Sequence, residues 1–593
     1  MAKTTEKIIE TDVLVVGGGI AGCPAAYKAA EKGLKVTLVE KSKTERSGSA
    51  GQGIDHHSGT FPRGMTPAAF NEQIKGVTRY TGERGFDPNI RYILHAARDW
   101  SIAELEKMGV PMRWDDGKFM VIDVAFHGGW PVLHVHWQNV KPIMAKAVKK
   151  MGVNVLDRTM VVDLLTNKGR VVGATAINSR TGEFIIIKAK TVILATAKCA
   201  RIFDSETPLP WKYKFNFHWC PASVSGDGWA MAYRAGAELA SLEQSGKGSR
   251  IRDDKALSWG NFRGWGVEGK STNWKGEEGR SGTPSGGPPS GAQRSGAPGA
   301  APEARPAPPK TEGGVPPAPP DPNREAANSP KYNTLAHIPD DFKKRTEVAY
   351  VDERMVSMVI SQERGFDFRS HYFELQEDNR PMQLHQPCGV FVGSDFQTRV
   401  KGLYAIGDTV YGVHNVALAA TNGFIVGDRM PEIIKNTPEP VLDMAQVESQ
   451  RQVAMASTQV KDGTNPVELE ASIRYACTRY VGGQKAEGKL REGIRRLGSL
   501  KREFLPKLQG DNPHFQMRSL EVRNLMDIAE LHMLASLERK ESRFDHTRLD
   551  YPKQDPALDN MVIVQRLENG KPVTEFRKLP ELDMNQKPDP AWC

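Results

Sequence analysis

Paired cysteines are missing from this chain: six are scattered through 593 residues, and none form a CxxC spacing. That absence excludes a disulfide framework and leaves no ligand set for an iron–sulfur or zinc centre within the chain. Long apolar runs are missing as well. Even TVILATA at 191–197 falls far short of the roughly 18 residues that span a bilayer, and it suits a buried strand. The opening MAKTTEKIIETD has neither an apolar signal core nor a twin-arginine pair, so a cytoplasmic chain without a membrane span is expected. Nucleic-acid motifs are absent too. The formal charge of +9 is spread along the chain and not gathered in a tail, which points to an anionic cofactor, substrate or acidic partner and away from nucleic acid.

With 39% hydrophobic and 25% charged residues, the composition is that of a globular protein. Residues 9–60 read as strand, tight glycine turn, helix, strand and loop. Helical spacing of apolar residues follows in NIRYILHAARDWSIAELEKMG (89–109) and VKPIMAKAVKKMG (140–152). Between 153 and 197 the pattern changes to β-branched segments separated by Gly, Asn and Thr turns, which predicts a β-meander ending in a second buried strand. Residues 281–320 hold 12 Pro and 8 Gly, with Val315 the single large aliphatic. Such a segment cannot bury enough apolar surface to offset its ordering entropy, so a linker is expected there. Helical stretches are predicted at 466–481, 485–508 and 514–540, followed by a hairpin about Asn569-Gly570.

The strongest local signal is DVLVVGGGIAGCPAA, an apolar strand running through Gly17, Gly19 and Gly22 into a helix. Gly17 permits the tight turn, Gly19 lets a pyrophosphate approach the backbone, and Gly22 lets the helix pack on the strand. The second strand, KVTLVE, ends in Glu40, 23 residues after Gly17, where a carboxylate accepts both ribose hydroxyls. Together these predict a dinucleotide site.

Further motifs narrow the choice to FAD. KGLYAIGDTV (401–410) followed by ALAATNGFIVGDRM (417–430) resembles the second FAD contact of glutathione-reductase-like flavoproteins, in which the acid, here Asp408, binds the ribitol. GDGWAMAYRAGAEL (226–239), HQPCGVFVGSDFQTRVKGLYAIGD (385–408) and ERKESRFDHTRLDYP (538–552) resemble, in order, segments of the fumarate reductase, succinate dehydrogenase and L-aspartate oxidase flavoproteins. The loop KSKTERSGSAGQGID (41–55) looks most like that of the adenylylsulfate reductase alpha subunits. It has Arg46-Ser47-Gly48 where the fumarate and succinate enzymes often carry a flavin-linking histidine, which implies noncovalent FAD. Two features depart from the family. SLEQSGKGSRIRDD (241–254) replaces the QFHPT segment, and DERMVSM (352–358) puts Met358 where fumarate reductases place their proton-donor arginine.

The resemblance implies an α/β fold, with a glutathione-reductase-like FAD-binding Rossmann domain, a reduced capping domain and a C-terminal helical domain. The expected division is 1–245 for the first FAD-binding part, 246–350 for the capping region with its linker 281–320, 351–435 for the capping return and second FAD-binding part, and 436–593 for the helical domain and tail. The implied FAD contacts are Gly17, Gly19, Gly22, Glu40, Lys41, Ser47, Gly48, Gln52, Gly53, Ala195, Asp227, Gly407, Asp408 and Asn422. The implied catalytic group is His385, Arg543, Arg548, His546 and Arg250, with no metal. The implied activity is two-electron exchange between flavin and a small anionic substrate, most like adenylylsulfate reductase. A ferredoxin-like iron–sulfur subunit is the implied partner in a hetero-oligomer. A fumarate reductase, succinate dehydrogenase or L-aspartate oxidase activity stands as the alternative, as does an electron-transfer or scaffold flavoprotein within a larger redox complex.

Overall fold

The computed structural model describes residues 8–52, 56–57, 66–71, 86–119, 121–123, 131–134, 139–204, 221, 223–251, 270–272, 331–334, 372–384, 387–587 and 589–592. Along the chain run β1 (Ile8–Val16), α1 (Gly22–Glu31), β2 (Val36–Glu40), α2 (Pro88–Ala96), α3 (Arg98–Lys107), α4 (Val140–Lys150) and β3 (Asn154–Asp157). The three strands of the meander are β4 (Thr159–Asn167), β5 (Arg170–Asn178) and β6 (Phe184–Leu194), followed by α5 (Asp227–Arg234), β7 (Leu403–Ala405) and α6 (Val416–Lys435). The C-terminal part contains α7 (Met444–Met455), α8 (Pro466–Ala476), α9 (Glu487–Glu503), α10 (Pro513–Glu538) and a hairpin of β8 (Met561–Glu568) and β9 (Lys571–Lys578).

One mixed sheet organises these elements. Strands β3, β2, β1 and β6 lie side by side in parallel, and β7 adds to β6 in parallel through Leu403↔Val192. The first half of β6 also pairs antiparallel with β5, and β5 with β4. A single strand therefore closes the meander and carries the centre of the parallel sheet. Its apolar run IIIKAKTVIL is mostly buried, as a strand covered on both faces must be. The linker 281–320 lies outside the described residues. On either side of it, Gly246–Ile251, Lys270–Thr272, Lys331–Thr334 and Tyr372–Gln383 form a separate four-stranded antiparallel sheet.

Helix α6 lies against α1 at very close range. A Cβ at Gly423 would stand 2.2 Å from the Ala21 carbonyl oxygen, and one at Gly427 2.6 Å from that of Ala25. This contact brings the turn after β7 up to the turn after β1. The C-terminal tail supports α2 and α3: Asn89 Nδ2 donates to Glu581 O at 3.0 Å, and buried Trp592 stacks on Trp100 at 5.8 Å. Trp592 Nε1 also donates to Asp428 on α6 at 3.2 Å. Among the described residues, no helix is long and apolar enough to cross a membrane.

Candidate functional site

The turn after β1 is built from residues that cannot carry side chains. Gly17 has φ +104°, and a Cβ there would lie 2.4 Å from the Ala195 carbonyl oxygen at the end of β6. A Cβ at Gly22 would meet the Gly17 carbonyl oxygen at 1.8 Å, whereas one at Gly19 meets no heavy atom within 4 Å. The first and third glycines are thus required by protein packing, and the middle one opens onto free space at the N-terminus of α1, where helix dipole and free N–H groups favour an anion. Glu40, 7% exposed at the end of β2, accepts from Gly18 N and Ser42 N, both at 2.7 Å. Ser47 Oγ donates to Gly18 O at 3.0 Å, and Gly48, at φ +71°, sits with its Cβ position 3.3 Å from Gly19 Cα. The backbone of Gln52 ends a short helical turn, and Gly53 lies outside the described residues.

The second turn meets the first. Gly407, at φ +60°, places its Cβ position 2.6 Å from the Ala21 side chain, and its N–H donates to Asn422 Oδ1 at 2.8 Å. Lys198 holds Asp408 Oδ2 at 3.2 Å, while the buried Asp408 Oδ1 and Asn422 Nδ2 have no hydrogen-bond partner. Unpaired buried polar atoms are costly. A free acceptor and a free donor beside an open glycine turn fit a ligand with phosphates and hydroxyls, as FAD has.

Lys41 and Asp227 are committed to each other. Lys41 Nζ reaches Ser225 at 2.7 Å, Asp227 at 2.5 Å and Glu521 at 2.6 Å. Arg201 pairs with Glu470 and Glu521, Arg518 does the same, and Asn524 Nδ2 donates to Asp227 at 2.8 Å. Burial disfavours the Glu521 carboxylate, yet Arg201, Lys41 and Arg518 hold it well below the usual carboxylate range. Three cations balance three carboxylates, fastening the end of β2 and the start of α5 to α8 and α10.

The tail residues also turn inward. Arg548 is 0% exposed; it grips Asp550 through Nε and Nη2 at 2.8 Å each, and Nη1 donates to the carbonyls of Ser536, Leu537 and Arg539. It caps the C-terminus of α10, where a cation complements both the orphan carbonyls and the dipole. Arg543 binds Glu541 at 2.8 Å and Asp559 at 2.7 Å. Burial, and then the Lys485 charge, push His546 well below its ordinary value. The neutral ring accepts from Lys485 at Nδ1 and donates from Nε2 to Arg539 O at 3.1 Å. The side chains expected to contact an anion, Arg548 and Arg543, are thus already engaged by protein groups. Arg250 lies on the Gly246–Ile251 strand opposite Gln376. His385 lies outside the described residues. Its flanks are fixed, however: Leu384 N donates to Cys199 O, and Pro387 O accepts from Gly412 N at 2.8 Å.

Close to that second anchor stands a cation that the sequence reading missed. Arg91, on α2, is 7% exposed; its Nη2 lies 3.0 Å from His414 Nδ1 and its guanidinium 4.8 Å over the Phe86 ring. Its Nε has no hydrogen-bond partner, and among the described residues no carboxylate pairs with it. Burial alone lowers it to about 10. The signal was available: an arginine inside an apolar helix face, and a histidine six residues after Asp408.

The FAD binding domain family matches residues 12–245, and the fumarate reductase flavoprotein C-terminal family matches residues 471–588. The corresponding chain of the CoM/CoB fumarate reductase of Methanothermobacter marburgensis is 25% identical over 598 residues, covering 94% of this chain and 98% of that protein. The adenylylsulfate reductase alpha subunit of Megalodesulfovibrio gigas is 27% identical over 303 residues, 45% of this chain and 42% of its own. In fold, adenylylsulfate reductase from Archaeoglobus fulgidus superposes with a TM-score of 0.79 at 24% identity, over 99% of this chain and 98% of that one.

Proposed function

Because this chain belongs to the FAD-dependent oxidoreductase flavoproteins of the fumarate reductase and adenylylsulfate reductase family, we propose that it exchanges two electrons between FAD and a small anionic substrate. FAD supplies the redox chemistry when bound; the protein binds, orients and excludes water. Gly17, Gly19, Gly22, Glu40 and Ser47-Gly48 hold the pyrophosphate and ribose in this reading, and Asp408 with Asn422 the far end. The cofactor is held without a covalent link, since Arg46-Ser47-Gly48 offers no histidine.

The observation that carries the anionic substrate is Arg91, a buried guanidinium without a carboxylate beside the second turn. A charge taken out of water needs a counter-charge, and Arg binds carboxylate, phosphate or sulfate by a planar fork. His414 orients that fork from Nδ1. His385, between the anchors on Cys199 and Gly412, is assigned to move the substrate proton, and Arg250 to supply a second cation. Arg543, His546 and Arg548 support the site through the fold. The cysteines Cys23, Cys199, Cys388 and Cys477 are buried, and burial pushes up all four thiols. They behave as small apolar side chains, so a separate iron–sulfur subunit is assigned to carry single electrons.

The test is anaerobic titration of the FAD-loaded protein with AMP plus sulfite, succinate and L-aspartate, with dimethyl succinate as a neutral control. At least one anion should remove the visible flavin absorbance while the ester leaves it unchanged. If every anion leaves it intact and only a reduced protein partner bleaches it, the carrier reading replaces this one.

A further inference from the structure

Lys141, near the start of α4, is 0% exposed, and its ammonium sits beneath the nucleotide turn. Nζ donates to the Gly18 carbonyl and approaches Cys23 Sγ at 3.4 Å. These are neutral partners: burial pushes the Cys23 thiol up, so it offers no thiolate. Among the described residues no carboxylate forms an ion pair with Lys141; the nearby acid Glu40 is turned onto the Gly18 and Ser42 N–H groups. A fully buried cation that meets only a carbonyl and a thiol leaves most of its desolvation cost uncovered.

We propose that Lys141 is a positioning residue for the cofactor, the buried counter-charge to its pyrophosphate. The geometry supplies two routes. The Gly18 carbonyl also accepts from Ser47 Oγ at 3.0 Å and Cys23 Sγ at 3.2 Å, so three donors converge on one oxygen. In a planar trans peptide the carbonyl of residue 18 and the N–H of residue 19 point in opposite directions. Tying the carbonyl inward therefore turns the Gly19 N–H outward, onto the face where no heavy atom lies within 4 Å of its Cβ position. The ammonium also polarises that peptide, making the N–H a stronger anion donor. Its charge adds to the field of the α1 N-terminus, in a site where burial limits screening. The inference requires FAD binding and is independent of which substrate is reduced.

The experiment compares wild type, Lys141→Met and Lys141→Arg as full-length proteins stripped of flavin. FAD titration followed by flavin fluorescence should give a dissociation constant raised roughly 10- to 100-fold in Lys141→Met, the span of a charge-assisted contact. Lys141→Arg, which keeps the charge, should stay within a few-fold of wild type. Wild type should prefer ADP over adenosine as a competitor, and Lys141→Met should lose most of that preference. Without flavin, Lys141→Met should melt at or above the wild-type temperature, because an uncompensated cation has been removed. The proposal is overturned if Lys141→Met binds FAD as tightly as wild type. It is equally overturned if the flavin-free variant fails to fold or melts well below wild type, since that marks a purely structural lysine.

Discussion

Arg548 illustrates how a side chain's neighbours decide its role. The spacing of Arg543, His546 and Arg548 announces a cluster, but spacing carries no information about the direction in which a guanidinium turns. In the fold Arg548 faces back onto Ser536, Leu537 and Arg539 and is locked by Asp550. Arg548→Ala strips the α10 terminus of its cap and leaves buried carbonyls unpaired, which should cost roughly 3 kcal/mol of stability. Urea unfolding of the FAD-loaded variant checks this; normal stability with weakened anion binding would restore a direct substrate role. Arg91 is illegible in the sequence for the opposite reason. Within a helical pattern it reads as part of a solvated face, and only the surrounding burial, with no carboxylate at hand, gives it meaning. The glycines of the first turn were legible because sterics act within a few residues: Gly17 and Gly22 are demanded by backbone atoms at 2.4 and 1.8 Å.

At the level of elements, periodicity located most of the framework. The meander, the α8 to α10 helices and the hairpin about Asn569 and Gly570, both with positive φ, lie where apolar spacing and turn residues put them. The stretch 89–109 divides into α2 and α3 at Ala97. A break there follows from the tertiary placement of the two helices, since no Gly or Pro marks it. The pairing of α1 with α6, across about 400 residues of sequence, was not legible from periodicity alone. It depends on Gly423 and Gly427 meeting Ala21 and Ala25, a complementarity between distant segments that neither segment reveals alone. Gly427→Ala drives a methyl against the Ala25 carbonyl, 2.6 Å away, and should cost roughly 1–3 kcal/mol by overpacking. It should also reduce bound FAD, because α6 brings Gly407 and Asp408 to the first turn. A thermal melt with flavin quantification tests both; unchanged FAD content would uncouple the helix contact from the cofactor site.

For the whole molecule, buried histidines set the acid limit of stability. Burial, and then the Lys485 charge, push His532 down to about 3, while burial and nearby cations push His95 and His546 well below their ordinary values. Unfolded histidines take up protons near pH 6.5, whereas these folded ones do not. The unfolded state therefore binds more protons, and the stabilisation is present above about pH 6.5 and lost as pH falls toward 3. His532→Gln removes one titrating group, so its urea midpoint should fall less steeply than that of wild type between pH 6.5 and 4; parallel slopes would mean His532 is already charged in the fold. The central claim, that a small anion meets the flavin at a site completed by Arg91, concerns the assembled molecule, because α2, the 410–414 segment and the tail must all be in place. The most direct measurement is anaerobic flavin bleaching by the active anion in wild type and Arg91→Leu, with FAD content determined in parallel. The account predicts full FAD occupancy in both and bleaching at least 100-fold slower in the variant at equal anion concentration, about 3 kcal/mol for one lost charge-assisted anchor. Bleaching of Arg91→Leu at the wild-type rate would contradict it.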